Sequence, residues 1–600
     1  MDQNKIRNIA IIAHVDHGKT TLVDVLFQQS GLFRNNQDVE DRLMDSIDIE
    51  KERGITIKSK NGACYYQDHM INIIDTPGHA DFGGEVERVL KMADGALFLV
   101  DAQEGPMPQS YFVLKKAVAL NLPIIVVVNK IDKPSARCDW VVDQVFDLLV
   151  SLNAPDELLD FPVLYASAKE GYATLNLSEK TDHIKDVFDA VITHIPAPKG
   201  DPNADFQLLI SAIDYSPFMG QIAIGKITRG TIAINQEIAL CEDNGILEKA
   251  RIKKIYQFEG TKQVEINQAT LGQIVGISGL TAFKVGQTIS DPNTPESIPG
   301  ITIDPPTLSM TFMANNSPFS GKEGEFVTST QLKTRLDQEI LSDVALTVDV
   351  LADEGGFKVS GRGELHLSIL IEKLRREGYE FQVSQPNVIF KEENGQKLEP
   401  YEELTIEVQE DYLGAIIEQL GERKGTCINM QQENGLAQLV YELPTRGLLG
   451  YQSQFMSDSK GMGVMYYRFS KYGPYAGVIK TRKNGVLIAN QPGSTLAYAL
   501  FNLQDRGKLF IEPGTEVYEG QIIGEHCRED DLNVNPIKGK KLTNVRASGS
   551  DDAIILTPIT RLSLEQCLSF IDDTELVECT PKAIRIRKRI LSESNRKRQR

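Results

Sequence analysis

The sequence predicts a multidomain chain: an α/β domain of the phosphate-binding kind, an antiparallel β-barrel, two small α+β sandwiches and a C-terminal unit of separate character. Three observations lead there. Residues 9–21, I-A-I-I-A-H-V-D-H-G-K-T-T, break from an apolar run into a Gly-Lys-Thr loop. Two Pro-rich linkers, 195–202 and 291–306, divide stretches of different periodicity. The 600 residues exceed the roughly 250–300 at which one hydrophobic core stops growing, so about four or five domains are expected.

Residues 9–13 read as a strand feeding a phosphate-binding loop, and 22–30 have helical character. In such a loop, consecutive backbone N–H groups at a helix N-terminus face one concavity and meet phosphate oxygens. Asp16, His17, Gly18, Lys19, Thr20 and Thr21 are the expected nucleotide contacts here. Lys19 is placed to reach the β- and γ-phosphates, while the Thr20 hydroxyl takes a position on Mg²⁺. The pattern departs from G-x-x-x-x-G-K-[ST] only at its first position, where Ala13 stands for glycine. Ala fits such a turn when its φ is negative.

Residues 33–53 are polar, charge-dense and poor in β-branched residues, which predicts a long flexible loop, with a strand pattern resuming at 54–57. In a nucleotide enzyme such a loop folds over the γ-phosphate, and the Thr56 hydroxyl completes the Mg²⁺ shell; a solvated connector would read the same. Residues 71–79, I-N-I-I-D-T-P-G-H, form an apolar strand that ends in an acid and a rigid turn. Asp75 is placed for a water-mediated Mg²⁺ contact, and Gly78 lets a backbone N–H approach the γ-phosphate closely. His79 is the candidate catalytic residue, because it follows that turn directly and can orient an attacking water. A lone histidine in a turn is more often structural, so it is the preceding D-T-P-G that carries this reading.

Residues 96–100 and 124–128 read as buried strands, the second running into Asn129-Lys130-Ile131-Asp132. A carboxylate at Asp132 accepts from the N–H donors at both N1 and N2 of guanine, a pair that adenine lacks. Lys130 is expected along the base plane, and Asn129 is expected to tie this loop to the phosphate loop. A further strand at 161–165 leads to Ser167-Ala168-Lys169, whose backbone amides can contact the guanine O6. A metabolic P-loop kinase would need an acceptor-substrate site and would not carry the N-K-x-D pattern.

After the first linker the pattern becomes short alternating strands with regular glycine turns to about residue 290, the signature of an antiparallel β-barrel. From 307 to 384, strands alternate with helical stretches at 328–342 and 365–377, as in a small α+β sandwich, and residues 400–480 repeat this character. The expected domains are therefore 1–198, 203–291, 306–384, 398–480 and 481–600.

Composition narrows the setting. With 41% hydrophobic and 24% charged residues the chain has an ordinary soluble composition. No apolar run approaches the ~18 residues of a membrane span, and no apolar signal region opens the chain. The expected location is the cytoplasm, with no membrane partner. Seven cysteines, scattered and never spaced C-x-x-C, fit a reduced compartment and argue against zinc.

The net charge of −19 argues against general adhesion to nucleic acid, yet it is unevenly spread. Residues 481–600 carry 19 Lys+Arg against 16 Asp+Glu, and the first 480 residues 45 against 67. Within the C-terminal part, Lys538, Lys540, Lys541 and Arg546 sit in a Gly-containing polar stretch and are candidate RNA-phosphate contacts. Lys582, Arg585, Arg587, Lys588 and Arg589 form a second cationic group that reads as polar loop. Residues 596–600 read as a disordered basic tail.

With these motifs in order, the chain resembles the translational GTPases, whose phosphate loop commonly reads A-H-V-D-H-G-K-T and whose second switch reads D-T-P-G-H. The resemblance implies that His79 is catalytic, that Val15 and Ile55 flank it as an apolar gate, and that Asp16 helps hold a monovalent cation. Residues 221–230 resemble the second domain of elongation factors, 361–367 the third domain of elongation factor G, and 400–480 its fifth. The long fourth-domain insertion of that factor is replaced by a short connection at 385–399, which argues against tip-driven translocation.

Residues 82–88, 502–510, 517–521 and 540–548 resemble the TypA/BipA family of ribosome-associated GTPases, and this likeness covers nearly the full length. It implies hydrolysis of GTP to GDP and phosphate, with a role in large-subunit assembly and/or in translation under stress or cold. The implied partners are the ribosome, its large-subunit RNA and the acceptor end of A-site transfer RNA, with the protein monomeric off the ribosome. A nucleotide-gated assembly chaperone, in which hydrolysis only drives release, is the competing reading.

Overall fold

The computed structural model describes residues 2–14, 16–31, 48–53, 56, 59–77, 83–179, 181–216, 220–242, 245–299, 306–343, 345–352, 355–433, 435–461, 463–479, 482–539 and 555–599. The chain divides into two compact units, Met1–Asp304 with Leu341–Val344, and Pro305–Ile340 with Ala345–Arg600.

The first unit opens with a seven-stranded sheet. Its strands are β1 (Ile6–Ala13), β2 (Lys60–Tyr66), β3 (His69–Asp75), β4 (Gly95–Asp101), β5 (Ile124–Asn129), β6 (Val163–Ser167) and β7 (Tyr172–Thr174). They lie in the order β2-β3-β1-β4-β5-β6-β7. The five central strands are parallel, and only β2 and β7 run antiparallel to their neighbours. Strands covered on both faces read as unbroken apolar runs, and β4 and β5 are buried along their whole length.

One core on this sheet collects alternate residues such as Ile12, Ile74, Phe98 and Val126, and the other collects Ile11, Ile73, Leu97 and Val127. Neighbouring positions of one strand thus face opposite cores, as the period of two requires. Helices α1 (Lys19–Gln29), α2 (Asp48–Arg53), α3 (Gly83–Leu90), α4 (Pro108–Ala119), α5 (Cys138–Ser151), α6 (Asp156–Leu159) and α7 (Lys185–His194) make up the helical layers of this domain.

The expected loop at 33–53 is in part a helix. Helix α2 forms because Ile49 is buried and because Glu50, equally buried, meets Lys60 at 2.5 Å. Charge density alone does not show that one of these carboxylates has an interior partner. The strand that follows runs Lys60–Tyr66; the strand pattern expected at 54–57, Ile55 included, falls, apart from Thr56, outside the described residues, as do residues 32–47.

The β-barrel region follows, with an antiparallel path of strands from Gln207–Leu209 to Thr288–Ser290 around a core of Phe206, Leu208, Ile227, Leu240, Ile255 and Ile289. It packs on the first sheet through Ile222, Ile224, Phe258 and Ile274, which share the core of Ile12 and Ile74, and through polar contacts. Ala63 and Gly260 exchange backbone hydrogen bonds of 3.0 and 2.7 Å, Gln257 donates to the Tyr65 hydroxyl at 2.7 Å, and Lys226 pairs with Asp94 at 2.5 Å. Buried Asn8 donates both to Asp94 (2.7 Å) and to the Gly272 carbonyl (3.0 Å).

In the second unit the predicted helices of the first α+β stretch appear as Ser329–Ser342 and Glu364–Arg376. Their sheet does not end at residue 384. Strand Phe381–Val383 pairs antiparallel with Glu575–Cys579, and the ladder continues through Ile584–Lys588, Gln521–His526 and Val486–Ala489. One apolar core runs with it, from Phe312 and Phe381 to Ile522, Leu568 and Val577. Residues 396–474 form a separate sheet with helix Leu413–Glu422 packed on it through Ile416 and Leu420.

The second cationic group is not a polar loop. Arg585, Arg587 and Lys588 belong to strand Ile584–Lys588, and the last two are only 1% and 3% exposed. Lys588 meets Glu575 at 2.7 Å and Asp531 at 2.8 Å. Arg585 pairs with Glu323 at 2.5 Å and Glu578 at 3.3 Å. The charges of Arg585 and Lys588 are matched by carboxylates, several of them distant in sequence, so they are unavailable for phosphates. The expected disordered tail is likewise ordered over Glu593–Gln599, where Arg596 donates to the Ile590 carbonyl at 2.9 Å and to Asn533 at 2.7 Å.

Candidate nucleotide site

In an open parallel sheet, ligands bind beyond the carboxyl ends of the strands. The predicted residues gather at that edge: Ala13 ends β1, Asp75 ends β3, Asn129 ends β5 and Ser167 ends β6. Ala13 is the last residue of a regular strand and is absent from the positive-φ residues, so its substitution for glycine carries no backbone strain. Among the described residues the left-handed positions of the loop are Asp16 (φ 64°) and Gly18 (φ 93°), the latter capping α1. Aspartate tolerates this conformation, and glycine adopts it without a Cβ penalty.

The Lys19 ammonium sits 2.8 Å from Asp75 Oδ1 and also donates to the Thr76 carbonyl. Thr76 in turn donates from its hydroxyl to the Ile11 carbonyl at 2.6 Å, which fixes the turn after β3 against β1. The Thr56 hydroxyl donates to Asp75 Oδ2 at 3.4 Å. Two of the three expected metal ligands therefore converge, and Thr20 follows Lys19 in the first turn of α1. Gly78, His79 and Val15 lie outside the described residues.

Asn129 makes the expected tie. Its side-chain amide donates to the His17 carbonyl at 2.8 Å and accepts from the Ala168 N–H at 2.9 Å, joining three loops in one residue. Asp132 is exposed, with Oδ1 accepting from the Ser167 hydroxyl at 2.7 Å. Ile131 donates its N–H to the Ala166 carbonyl at 3.3 Å, holding the same loop to the end of β6. Lys169 is exposed beside it. Sequence reasoning assigned Ser167 a backbone role; the structure adds that its side chain orients the carboxylate expected to read the base.

Sequence reasoning missed Asp101, the last residue of β4, which is buried. Its carboxylate lies 2.7 Å from Lys130 Nζ and 3.3 Å from Lys133 Nζ. Burial pushes its pKa up, but Lys130, the Gln103 N–H and Lys133 outweigh that and bring it down to about 2. It also missed the side chain of His17, fully buried, with Nε2 at 3.6 Å from Glu104. The available signal was position: Asp101 ends a buried strand at the same sheet edge as Asp75 and Asn129.

Of the candidate RNA contacts, Lys538 is exposed, whereas Lys540, Lys541 and Arg546 lie outside the described residues.

A parallel-stranded phosphate-loop domain with an N-K-x-D loop, joined to an antiparallel β-barrel, defines the class of the translational GTPases. The family comparisons agree piece by piece: residues 4–197 match the elongation factor Tu GTP binding domain, 220–290 elongation factor Tu domain 2, and 396–483 the elongation factor G C-terminus. Residues 484–593 match the TypA/BipA C-terminal domain. The large ribosomal subunit assembly factor BipA of Escherichia coli K12 is 53% identical over 99% of this chain and 98% of its own. Its counterpart in Haemophilus influenzae is 53% identical over 100% and 98%, and that of Buchnera aphidicola 51% over 100% and 98%. The chain belongs to the TypA/BipA family of translational GTPases. A solved structure from Thermus thermophilus, 17% identical, shares the fold over 79% of this chain and 97% of its own with a TM-score of 0.56.

Proposed function

We propose that this protein binds GTP and hydrolyses it to GDP and phosphate on the ribosome, acting in assembly of the large subunit and/or in translation under stress or cold. The observation that carries the reading is the set of loop contacts made by Asn129, Asp132 and Ser167. One residue ties the phosphate loop to the base loops, and the base-reading carboxylate is held in place, in a chain whose full-length relatives are named large ribosomal subunit assembly factors.

Each residue has a task in this reading. Lys19 and the loop amides from Asp16 to Thr21 neutralise phosphate charge, Asp132 selects guanine, Lys130 flanks the base, and the amides of Ala168 and Lys169 meet O6. Thr20, Thr56 and Asp75 are hard oxygen donors of the kind that suit Mg²⁺, and the 3.4 Å approach of Thr56 to Asp75 fits that use. When bound, Mg²⁺ would neutralise charge building on the phosphates. Gly78 senses the third phosphate and His79 orients the attacking water, with Val15 and Ile55 as its apolar gate and Asp16 near a monovalent cation. The C-terminal stretch with Lys538, Lys540, Lys541 and Arg546 contacts large-subunit RNA and the acceptor end of A-site transfer RNA. The protein is cytoplasmic and monomeric off the ribosome.

Co-sedimentation with ribosomes and separated subunits under GTP analogue, GDP and no nucleotide tests the partner, and single-turnover phosphate release tests the chemistry. His79→Ala should leave GTP affinity within about threefold while ribosome-stimulated release falls by about 10²-fold or more. Near-normal release would remove His79 from the catalytic role. Assembly promoted normally by that variant for a single round would favour the binding chaperone.

A further inference from the structure

We propose that Asp101 is a positioning residue of the nucleotide site, whose buried carboxylate holds the side chain of Lys130 and ties the base-reading loop to the phosphate loop. This rests on the guanine-nucleotide reading above.

The Lys130 backbone is left-handed, at φ 64°, a strained conformation for a non-glycine residue that persists where the surroundings hold it. Asp101 is the fixed partner of its side chain. Its Oδ2 takes the Lys130 ammonium at 2.7 Å, while Oδ1 accepts from the N–H groups of Gln103 at 2.7 Å and Glu104 at 3.3 Å. Both oxygens are thus engaged on opposite sides, so the carboxylate cannot rotate without breaking one set. A lysine chain has four rotatable bonds and loses rotamer entropy when ordered. Anchoring the ammonium on Asp101 settles that cost before any base arrives, which is preorganisation.

The same short loop reaches the phosphate side. The Asp101 N–H faces His17 Nδ1 at 3.4 Å, and Glu104, whose own N–H the Asp101 carboxylate caps, lies 3.6 Å from His17 Nε2. His17 also offers its carbonyl to Asn129 at 2.8 Å. A closed circuit therefore runs from Asp101 through His17 and Asn129 back to Lys130, the residue next in the chain. The carboxyl is brought down to about 2 against the effect of burial, so the anchor is charged throughout the neutral range.

A mutant cycle on the full-length protein tests this, using fluorescent GDP for affinity and dissociation rate. Asp101→Asn should weaken binding about tenfold, mainly through faster dissociation, because a charge-assisted bond is lost while the caps on Gln103 and Glu104 can persist. Lys130→Met, which keeps the stem and removes the ammonium, should lose a similar amount. The double variant should be within about twofold of Lys130→Met alone, because Asp101 acts through that ammonium. Lys133→Met, which removes the other cation on the same carboxylate, should stay within about twofold of wild type. Additive losses, or unchanged binding by Asp101→Asn, would overturn the proposal. If Asp101→Asn does not fold, Asp101→Glu displaces the charge by one methylene, and the same non-additivity with Lys130→Met decides. Failure of the wild-type chain to bind GDP would sink the guanine reading along with this one, whereas tight wild-type binding indifferent to Asp101 would sink this one alone.

Discussion

Gly18 shows how little room the site leaves at the scale of one residue. Its φ of 93° is left-handed, and a Cβ there would collide with Asn129 Nδ2. That nitrogen cannot retreat freely, since the same side chain is held at both ends by the His17 carbonyl and the Ala168 N–H. Gly18→Ala should therefore reduce GDP affinity by about tenfold or more and lower thermal stability by about 1–2 kcal/mol. Nucleotide titration and a melting curve measure both, and a variant unchanged in affinity would show that Asn129 need not stay where it is. At Asp132 the substitution to Asn retains an oxygen to accept from Ser167 at the observed 2.7 Å contact. It thus tests the base rather than the fold. Asp132→Asn should weaken GTP and favour xanthosine triphosphate, which carries a carbonyl acceptor on C2 in place of the guanine amino group. Competition binding reads the exchange, and no gain for the xanthine nucleotide would remove Asp132 from base reading.

Strand Ile584–Lys588 is the element that most changes meaning between sequence and structure. Read along the chain it is a run of cations; placed in the sheet it lies between carboxylates. Glu578, on the neighbouring strand and fully buried, accepts from Asn315 (3.1 Å), Ser317 (2.9 Å), Tyr518 (2.5 Å) and Arg585 (3.3 Å). Burial first, and then this carboxylate, pushes the Tyr518 hydroxyl above its usual range, so it remains a neutral donor. Removing one member of such a set strands the others. Tyr518→Phe should cost the second unit about 1–2 kcal/mol, and Glu578→Leu, which leaves Arg585 short of an acceptor, about 3–5 kcal/mol. Scanning calorimetry that resolves the two units would show both. A neutral Glu578→Leu would mean that the network is replaceable by apolar packing.

Two measurements address the whole molecule. All seven cysteines are free, but Cys64, Cys138, Cys241, Cys567 and Cys579 are buried while Cys427 and Cys527 are exposed. Burial pushes the Cys64 and Cys567 thiols up to about 12 and raises Cys138 and Cys579 as well. Since the thiolate is the reactive form, the folded protein should titrate two thiols rapidly and the denatured protein all seven. Rapid reaction at more than two would mean that one of the described cores opens. Ribosome binding is the other test. If Lys538, Lys540, Lys541 and Arg546 contact RNA phosphates, neutralising two of them should lower the salt slope by roughly 0.7–0.9 per lost contact and leave GTP affinity unchanged. Sedimentation across a salt series gives the slope, and an unchanged slope with the domain folded would place the RNA contact elsewhere.

The apolar runs of the first sheet, the Gly18-Lys19-Thr20 loop, the N-K-x-D set and the helices near 329–342 and 364–376 were all legible in the sequence, because each rests on neighbours in the chain. Strand burial, loop chemistry and helical periodicity are local properties, and a residue such as Asn129 carries its role in its immediate motif. What depended on distant partners was not legible. The Asp101 to Lys130 contact spans β4 to the end of β5. The Ser167 hydroxyl becomes an orienting group only when β6 lies beside β5. The union of Phe381–Val383 with Glu575–Cys579 joins strands almost two hundred residues apart. The fate of Arg585, Arg587 and Lys588 has the same cause: a charge reads as surface until the structure supplies an opposite charge or a buried acceptor beside it, and Coulomb energy depends on distance in space and on burial, not on distance along the chain.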